Sequence, residues 1–461
     1  MCIITSLLLP KASATSTDTS TEYQKALQAA GLVGRPRNIS ATLKHWEVSI
    51  EAVEERWHRF VRHNDEKSSG SDIFQKIESE LQRVGSAGCP KVLSKANSAT
   101  RIAQMGSTLT STLQTIIEMH RGPQNISMQK PLRIAHVISP VFARKSATYL
   151  DEITMITLAS MSAAHDFTHK YSNGLIEVEL WLTNFEDEPK PKIKRYRYTR
   201  PVNRSVIELA AAAHIKLPLT KTNPKPRRLP VANDILEAVH ESTSADYIIY
   251  SNTDIGIMPY FYTFVALWFA AGLDSMYINR VPLPIEGHKY PDLPSIWSEV
   301  LKHPQKHGGW DCFGWHRSLF GRFRWRLGVA VVGAPPIGTK LKKAIMCYAQ
   351  YFLPVLGKHL TFHLGGTGSG DTHRVSGWGF GRPWNFNYHK HYHSLVKPEP
   401  CSGDPGSSQK LIFHGLSFNE DEKFQDQVAA LCSAYKPNEP LSIEFRLLVL
   451  YSMVASEEFL P

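Results

Sequence analysis

The stretch Ala245–Tyr262, ADYIIYSNTDIGIMPYFY, runs through Tyr247, Ile248, Ile249 and Tyr250, stops on Asn252-Thr253-Asp254, and turns at Pro259 into a run of aromatics. An unbroken apolar run bounded by turn residues is the pattern of a strand buried on both faces, as in a parallel sheet. A carboxylate at the tip of such a strand is costly unless something uses it. Asp254 is therefore the first candidate for chemistry.

Working outward, strands and helices alternate. LRIAHVISPV (132–141) reads as a buried strand, residues 148–164 as a helix, LIEVELWLTNF (175–185) as a strand, and ANDILEAVHESTSA (232–245) as the helix leading into the opening stretch. Downstream come an aromatic helix at about 260–271, the strand SMYINRV (275–281), and a Gly/Trp/His-rich region reaching residue 393. This rhythm predicts an α/β fold with a mostly parallel sheet flanked by helices on both faces. Ligands in such sheets bind outside the carboxyl ends of the strands, where Asn252 and Asp254 fall.

The flanks have a different texture. Residues 1–21 read as a disordered or targeting segment, and 22–128 as an α-helical N-terminal extension, in which Trp46, Ile50, Val53, Trp57 and Phe60 form one helical stripe. The main domain is expected at 131–400, a linker at 401–410 and a small helical tail at 411–461. The start MCIITSLLL has no positive n-region, which reads against a secretory signal, while the Ser/Thr-rich, acid-poor residues behind it also suit an organellar transit segment. The longest apolar run, about 261–271, is too short to span a bilayer. Six cysteines stand far apart without a CxxC pair, which argues against a zinc module or a disulfide-stapled scaffold and for a reducing, cytoplasmic or organellar setting. The net charge of +10 suits a phosphate-rich partner, but Lys and Arg are spread along the chain. The stretch Lys190–Arg200 (KPKIKRYRYTR) interleaves basic and aromatic residues as nucleic-acid binders do, and an edge strand guarded by cations has the same composition. Nucleic acid is not the expected partner.

Asn252-x-Asp254 offers two oxygen ligands two apart on an extended end, which suits a hard divalent cation bridging a diphosphate. The same tripeptide also ends strands as a plain Asx turn. Asp311, in HGGWDCFGWHR, is the second carboxylate, a candidate general base or a cap of its own loop, with Trp310 and Trp315 flanking it as stacking surfaces or core. His363, in LTFHLGG, is a further metal ligand or a buried structural histidine, and Gly365, Gly366, Gly368 and Gly370 after it form a closing loop or a plain turn. Arg227 and Arg228 lie just before the helix that opens at Asn233, where positive charge can meet phosphate. HKHYH brings His389, His391 and His393 onto one face if extended, the pattern of a surface cluster.

The order RRLPVANDILEAVHESTSADYIIYSNTDI resembles the nucleotide-sugar half of the GT-A glycosyltransferases, whose strand ends in a DxD or related metal motif. YINRV, GGWDCFGWHR, VGAPPIG and LTFHLGG extend the likeness over about 133–388. The resemblance implies a GT-A-like domain and a glycosyltransferase using Mn²⁺ or Mg²⁺ and a UDP- or GDP-sugar. It implies Asp254 as direct ligand, Asn252 as a weaker or water-mediated one, His363 as a further ligand and Asp311 beside the acceptor. His136, Arg227, Arg228 and Asn233 would contact the donor, with His136, Arg144 and Lys145 toward its base and ribose. Asn252 departs from the first Asp of that motif and removes one charge. A sugar- or nucleotide-binding protein on the same scaffold is the rival reading.

Overall fold

The computed structural model describes residues 109–116, 130–364, 411–412 and four positions within 443–450, with gaps at 115, 141–148, 189, 213–228, 284–291, 304–309, 333–336 and 356–357. The expected stripe at 46–60 and most of the tail lie outside the described residues.

The main sheet has eight strands: β1 (Leu132–Ile138), β2 (Ile176–Leu182), β3 (Tyr196–Tyr198), β4 (Tyr247–Ser251), β6 (Ser275–Asn279), β8 (Trp310–His316), β9 (Tyr351–Val355) and β11 (Leu411–Ile412). Its order is β11-β9-β6-β8-β4-β1-β2-β3. All neighbours pair in parallel except β8, which runs antiparallel to both β4 and β6. A second sheet of three strands, β5 (Ile255–Ile257), β10 (Thr361–Leu364) and β7 (Val281–Leu283), sits where β4 and β6 leave the first. The alternation read from the sequence is thus a mixed α/β fold with a mostly parallel sheet.

The helices are α1 (Tyr149–Tyr171), α2 (Val206–Ala212), α3 (Ala232–Ser242), α4 (Phe261–Ala271), α5 (Leu293–Lys302), α6 (Phe320–Leu327) and α7 (Ile337–Met346). Alternating residues of β4 divide between two cores: Tyr247 and Ile249 pack with α1, α4 and α5, while Ile248 and Tyr250 pack with α3, α6 and α7. Both faces are therefore covered, which is why β4 reads as continuous apolar sequence. Helix α4 is apolar on every side and buried throughout except for Ala270, so it lies inside the first core. It ends at Gly272, whose φ of 103° lets its N–H reach Phe269 O and Trp268 O.

Leu109, Leu113 and Ile116, from the end of the expected extension, and Leu447 and Leu450, from the tail, are buried in the core that holds α4. Lys190–Arg200 supplies β3, a strand at the edge of the sheet, with Arg197 largely exposed. Cys347 is disulfide-bonded, a bridge that the spacing of the cysteines did not suggest; Cys312 is free and buried. Among the described residues no helix is long and apolar enough to cross a membrane.

Candidate functional site

Strand order reverses at β1, which has β2 on one side and β4 on the other. The crevice beyond the carboxyl ends of two such strands is where open α/β sheets take ligands. Residues 252–254 occupy this place. Strand β4 ends at Ser251, Ile255 N closes a turn on Asn252 O at 3.2 Å, and Thr253 Oγ1 donates to Ser139 O, just past β1, at 2.6 Å. The turn passes the chain from the main sheet into β5.

On β10, paired antiparallel with β5, His363 lies opposite Ile255, and its Nε2 is 3.1 Å from Asp254 Oδ2. The Asp254 side chain is about one-third exposed, yet its Oδ1 is turned inward and has no hydrogen-bond partner among the described residues; nor has His363 Nδ1. Burial would raise the Asp254 carboxyl, but His363 and, more weakly, Arg280 outweigh it and hold the group below the ordinary value.

Strand β8 enters from the opposite direction, so its first residues meet the ends of β4 and β6. Ile278 pairs with Cys312 but Asn279 pairs with Trp310, leaving Asp311 as the extra residue of a bulge. Such bulges re-aim side chains. Asp311 is 17% exposed; its Oδ1 accepts from Asn252 Nδ2 at 2.8 Å and its Oδ2 is ion-paired with Arg280 Nη1. Asn252 N also donates to Asp311 O at 3.1 Å.

The Asn252 amide is thereby spoken for, because its Oδ1 accepts from Tyr250 at 3.1 Å. Asn252, expected as a weaker or water-mediated metal ligand, turns its amide oxygen to the Tyr250 hydroxyl and its NH₂ to a carboxylate. His136, expected against the donor, is fully buried and hydrogen-bonds Tyr262 through Nδ1 at 2.8 Å and Ser251 through Nε2 at 2.9 Å. Burial pushes its pKa down to about 3, so it is a neutral core histidine. Trp315 is likewise core, edge-on to Phe323.

Asn233 stands in the first turn of α3, at the same end of the sheet, with Oδ1 buried and without a partner among the described residues. Its neighbour Asp234 is ion-paired with Arg204. Arg144, Lys145, Arg227, Arg228, the glycines at 365–370 and the histidines at 389–393 lie outside the described residues. Sequence reasoning missed Arg280 and Tyr250. Arg280 had a signal: a guanidinium between two short apolar strands has to find an anion.

Among the described residues no group of three or more His, Cys, Asp or Glu side chains gathers as a ligand set. A hard cation that bridges phosphates needs only one or two protein carboxylates and fills the rest of its shell with phosphate and water. Asp254, with one unpartnered oxygen, fits that requirement.

No protein-family model matches the chain, and no curated protein is similar to it in sequence. Among solved structures it is similar to residues 1–349 of S. aureus TarS in complex with UDP-GlcNAc (TM-score 0.28, 11% identity, 53% of this chain and 60% of that one). It is also similar to mannosyl-3-phosphoglycerate synthase from Rubrobacter xylanophilus (TM-score 0.24, 13% identity, 62% and 81%). A third is the mannosyltransferase PcManGT from Pyrobaculum calidifontis in complex with GDP-Man and Mn²⁺ (TM-score 0.25, 10% identity, 77% and 97%). The chain thus spans about 60% of the length of the first of these.

Proposed function

We propose that the chain is a metal-dependent glycosyltransferase of the GT-A kind, moving a sugar from a UDP- or GDP-linked donor to an acceptor hydroxyl. One observation carries this reading: at the switch point of a mostly parallel sheet, Asp254 keeps one carboxylate oxygen inward and without a donor while His363 holds the other. A buried carboxylate oxygen with no donor costs free energy until a cation or a proton reaches it, and His363 and Arg280 hold the carboxyl ionised.

Asp254 would hold Mn²⁺ or Mg²⁺ by its carboxylate, one oxygen of which has no hydrogen-bond partner among the described residues. When bound, the ion neutralises the donor's diphosphate and stabilises it as a leaving group. His363 orients the carboxylate from its other oxygen. Asn252 holds Asp311 in place through its amide N–H, and Asp311 presents its carboxylate to the acceptor hydroxyl. Asn233, at the N-terminal turn of α3, faces the donor.

Calorimetry with UDP and GDP, with and without Mn²⁺, tests the reading. The expected result is binding that requires the ion, with loss of tenfold or more in affinity, and of all donor hydrolysis, in Asp254→Ala. Equal binding without the ion would instead mark a non-catalytic nucleotide- or sugar-binding protein, a reading favoured by the commitment of both the Asn252 amide and the Asp311 carboxylate to protein partners.

A further inference from the structure

We propose that Arg280 binds the donor's diphosphate and that Asp311 is the counter-ion it exchanges for a phosphate oxygen. The proposal rests on the nucleotide-sugar reading above.

Arg280 stands between β6 and β7, where the chain crosses from the main sheet to the small one, and its side chain is only 18% exposed. It is close enough to both carboxylates to act on each: it is ion-paired with Asp311 and helps depress the Asp254 carboxyl. Its Nε is buried and has no acceptor among the described residues. A guanidinium carries five N–H donors in a planar fork, and a diphosphate, with oxygens on two phosphorus atoms, can take two or more of them at once. An inward guanidinium with an idle donor, beside a carboxylate oxygen with an idle lone pair, is a pair of groups that a metal-bridged diphosphate satisfies together.

The same geometry explains Asn252. A carboxylate there would face Asp311 across 2.8 Å and put three negative groups around one guanidinium. The amide donates instead, so Arg280 has one carboxylate fewer to neutralise and keeps charge for the ligand. Restoring the first acid of a DxD motif should therefore weaken this site.

The test is calorimetric titration of UDP and GDP, with Mn²⁺, into the full chain and its variants, with uridine and guanosine as probes lacking phosphate. Arg280→Ala should weaken the diphosphate about ten- to hundredfold and leave the nucleoside unchanged. Arg280→Lys should recover only part, because the fork is lost. Asp311→Asn, which removes the competing anion, should tighten the diphosphate several-fold, a change of sign that a scaffolding ion pair would not give. Asn252→Asp should weaken it. Should Arg280→Ala fail to fold, the double variant Arg280→Ala/Asp311→Asn removes both charges together and should bind the diphosphate more weakly than Asp311→Asn alone. If the wild type binds UDP or GDP but Arg280→Ala binds it equally, or Asp311→Asn does not tighten it, the proposal is overturned while the nucleotide-sugar reading stands. If the wild type binds neither, that reading falls and the proposal with it.

Discussion

At the scale of single residues, the site separates groups that hold the fold from groups left with something to do. His136 belongs to the first kind. Its ring is enclosed, and both nitrogens are used by hydroxyls, one of them on Ser251, immediately before Asn252. His136→Leu keeps most of the volume but strips Ser251 and Tyr262 of their shared partner. Leaving buried polar groups unsatisfied costs about 1–3 kcal/mol each, so urea unfolding should show a loss of about 3 kcal/mol. Affinity for UDP or GDP, measured on the folded fraction, should stay within about threefold, since a ring with no exposed surface contacts no donor. A large loss of affinity at unchanged stability would return His136 to the donor site. Asp254 was legible in the sequence because a carboxylate ending an apolar strand has no cheap structural use. The partner of Asn252 was not: Asp311 is 59 residues away, and the bulge that turns it inward leaves no periodic mark in the sequence.

At the scale of elements, the long buried strands and the helices of the main sheet could be read from sequence because length and apolar runs reveal them. The small sheet could not. Its strands have three or four residues, too few to show a period of two, and β5 and β7 lie just past the ends of the longer β4 and β6. Yet this sheet brings His363 to Asp254. Its closest approach is at Gly256, opposite Phe362, where an added Cβ would lie 2.2 Å from a ring carbon. Phe362 is fully buried and has nowhere to go, so Gly256→Ala must part β5 from β10. Overpacking of this kind costs about 1–3 kcal/mol. Thermal unfolding should register that loss. Titration with Mn²⁺ in the presence of UDP or GDP should show affinity falling further than in His136→Leu, because His363, next to Phe362, moves off the Asp254 carboxylate. Equal metal affinity in the two variants would mean that the β5–β10 register does not set the site.

At the scale of the whole molecule, three titratable groups strongly shifted by desolvation tilt how stability follows pH, and their effects oppose one another. His136, lowered from 6.5 to about 3, is neutral in the fold, whereas the unfolded chain takes up a proton below 6.5, so its contribution falls as pH drops from 6.5 toward 3. Asp274, raised from 3.8 to about 6, works the other way. Burial outweighs the N–H groups of Gln350 and Tyr351 that its carboxylate accepts, so the folded chain holds a proton that the unfolded one has released, and its contribution grows as pH drops from 6 toward 3.8. Each slope is about 1.4 kcal/mol per pH unit. For these two groups they cancel between about pH 4 and 6, leaving a plateau, and below pH 4 the histidine acts unopposed and stability falls. Lys340, lowered by burial from 10.5 to about 7, adds stability as pH rises from 7 toward 10, since the unfolded chain still holds the proton that the fold has lost. Urea unfolding across pH 3–9 should therefore show the plateau, a fall below it and a rise above pH 7. Asp274→Asn removes the opposing slope alone, so stability in that variant should decline steadily from pH 6.5 downward. A variant that keeps the wild-type plateau would show that Asp274 does not carry the compensation.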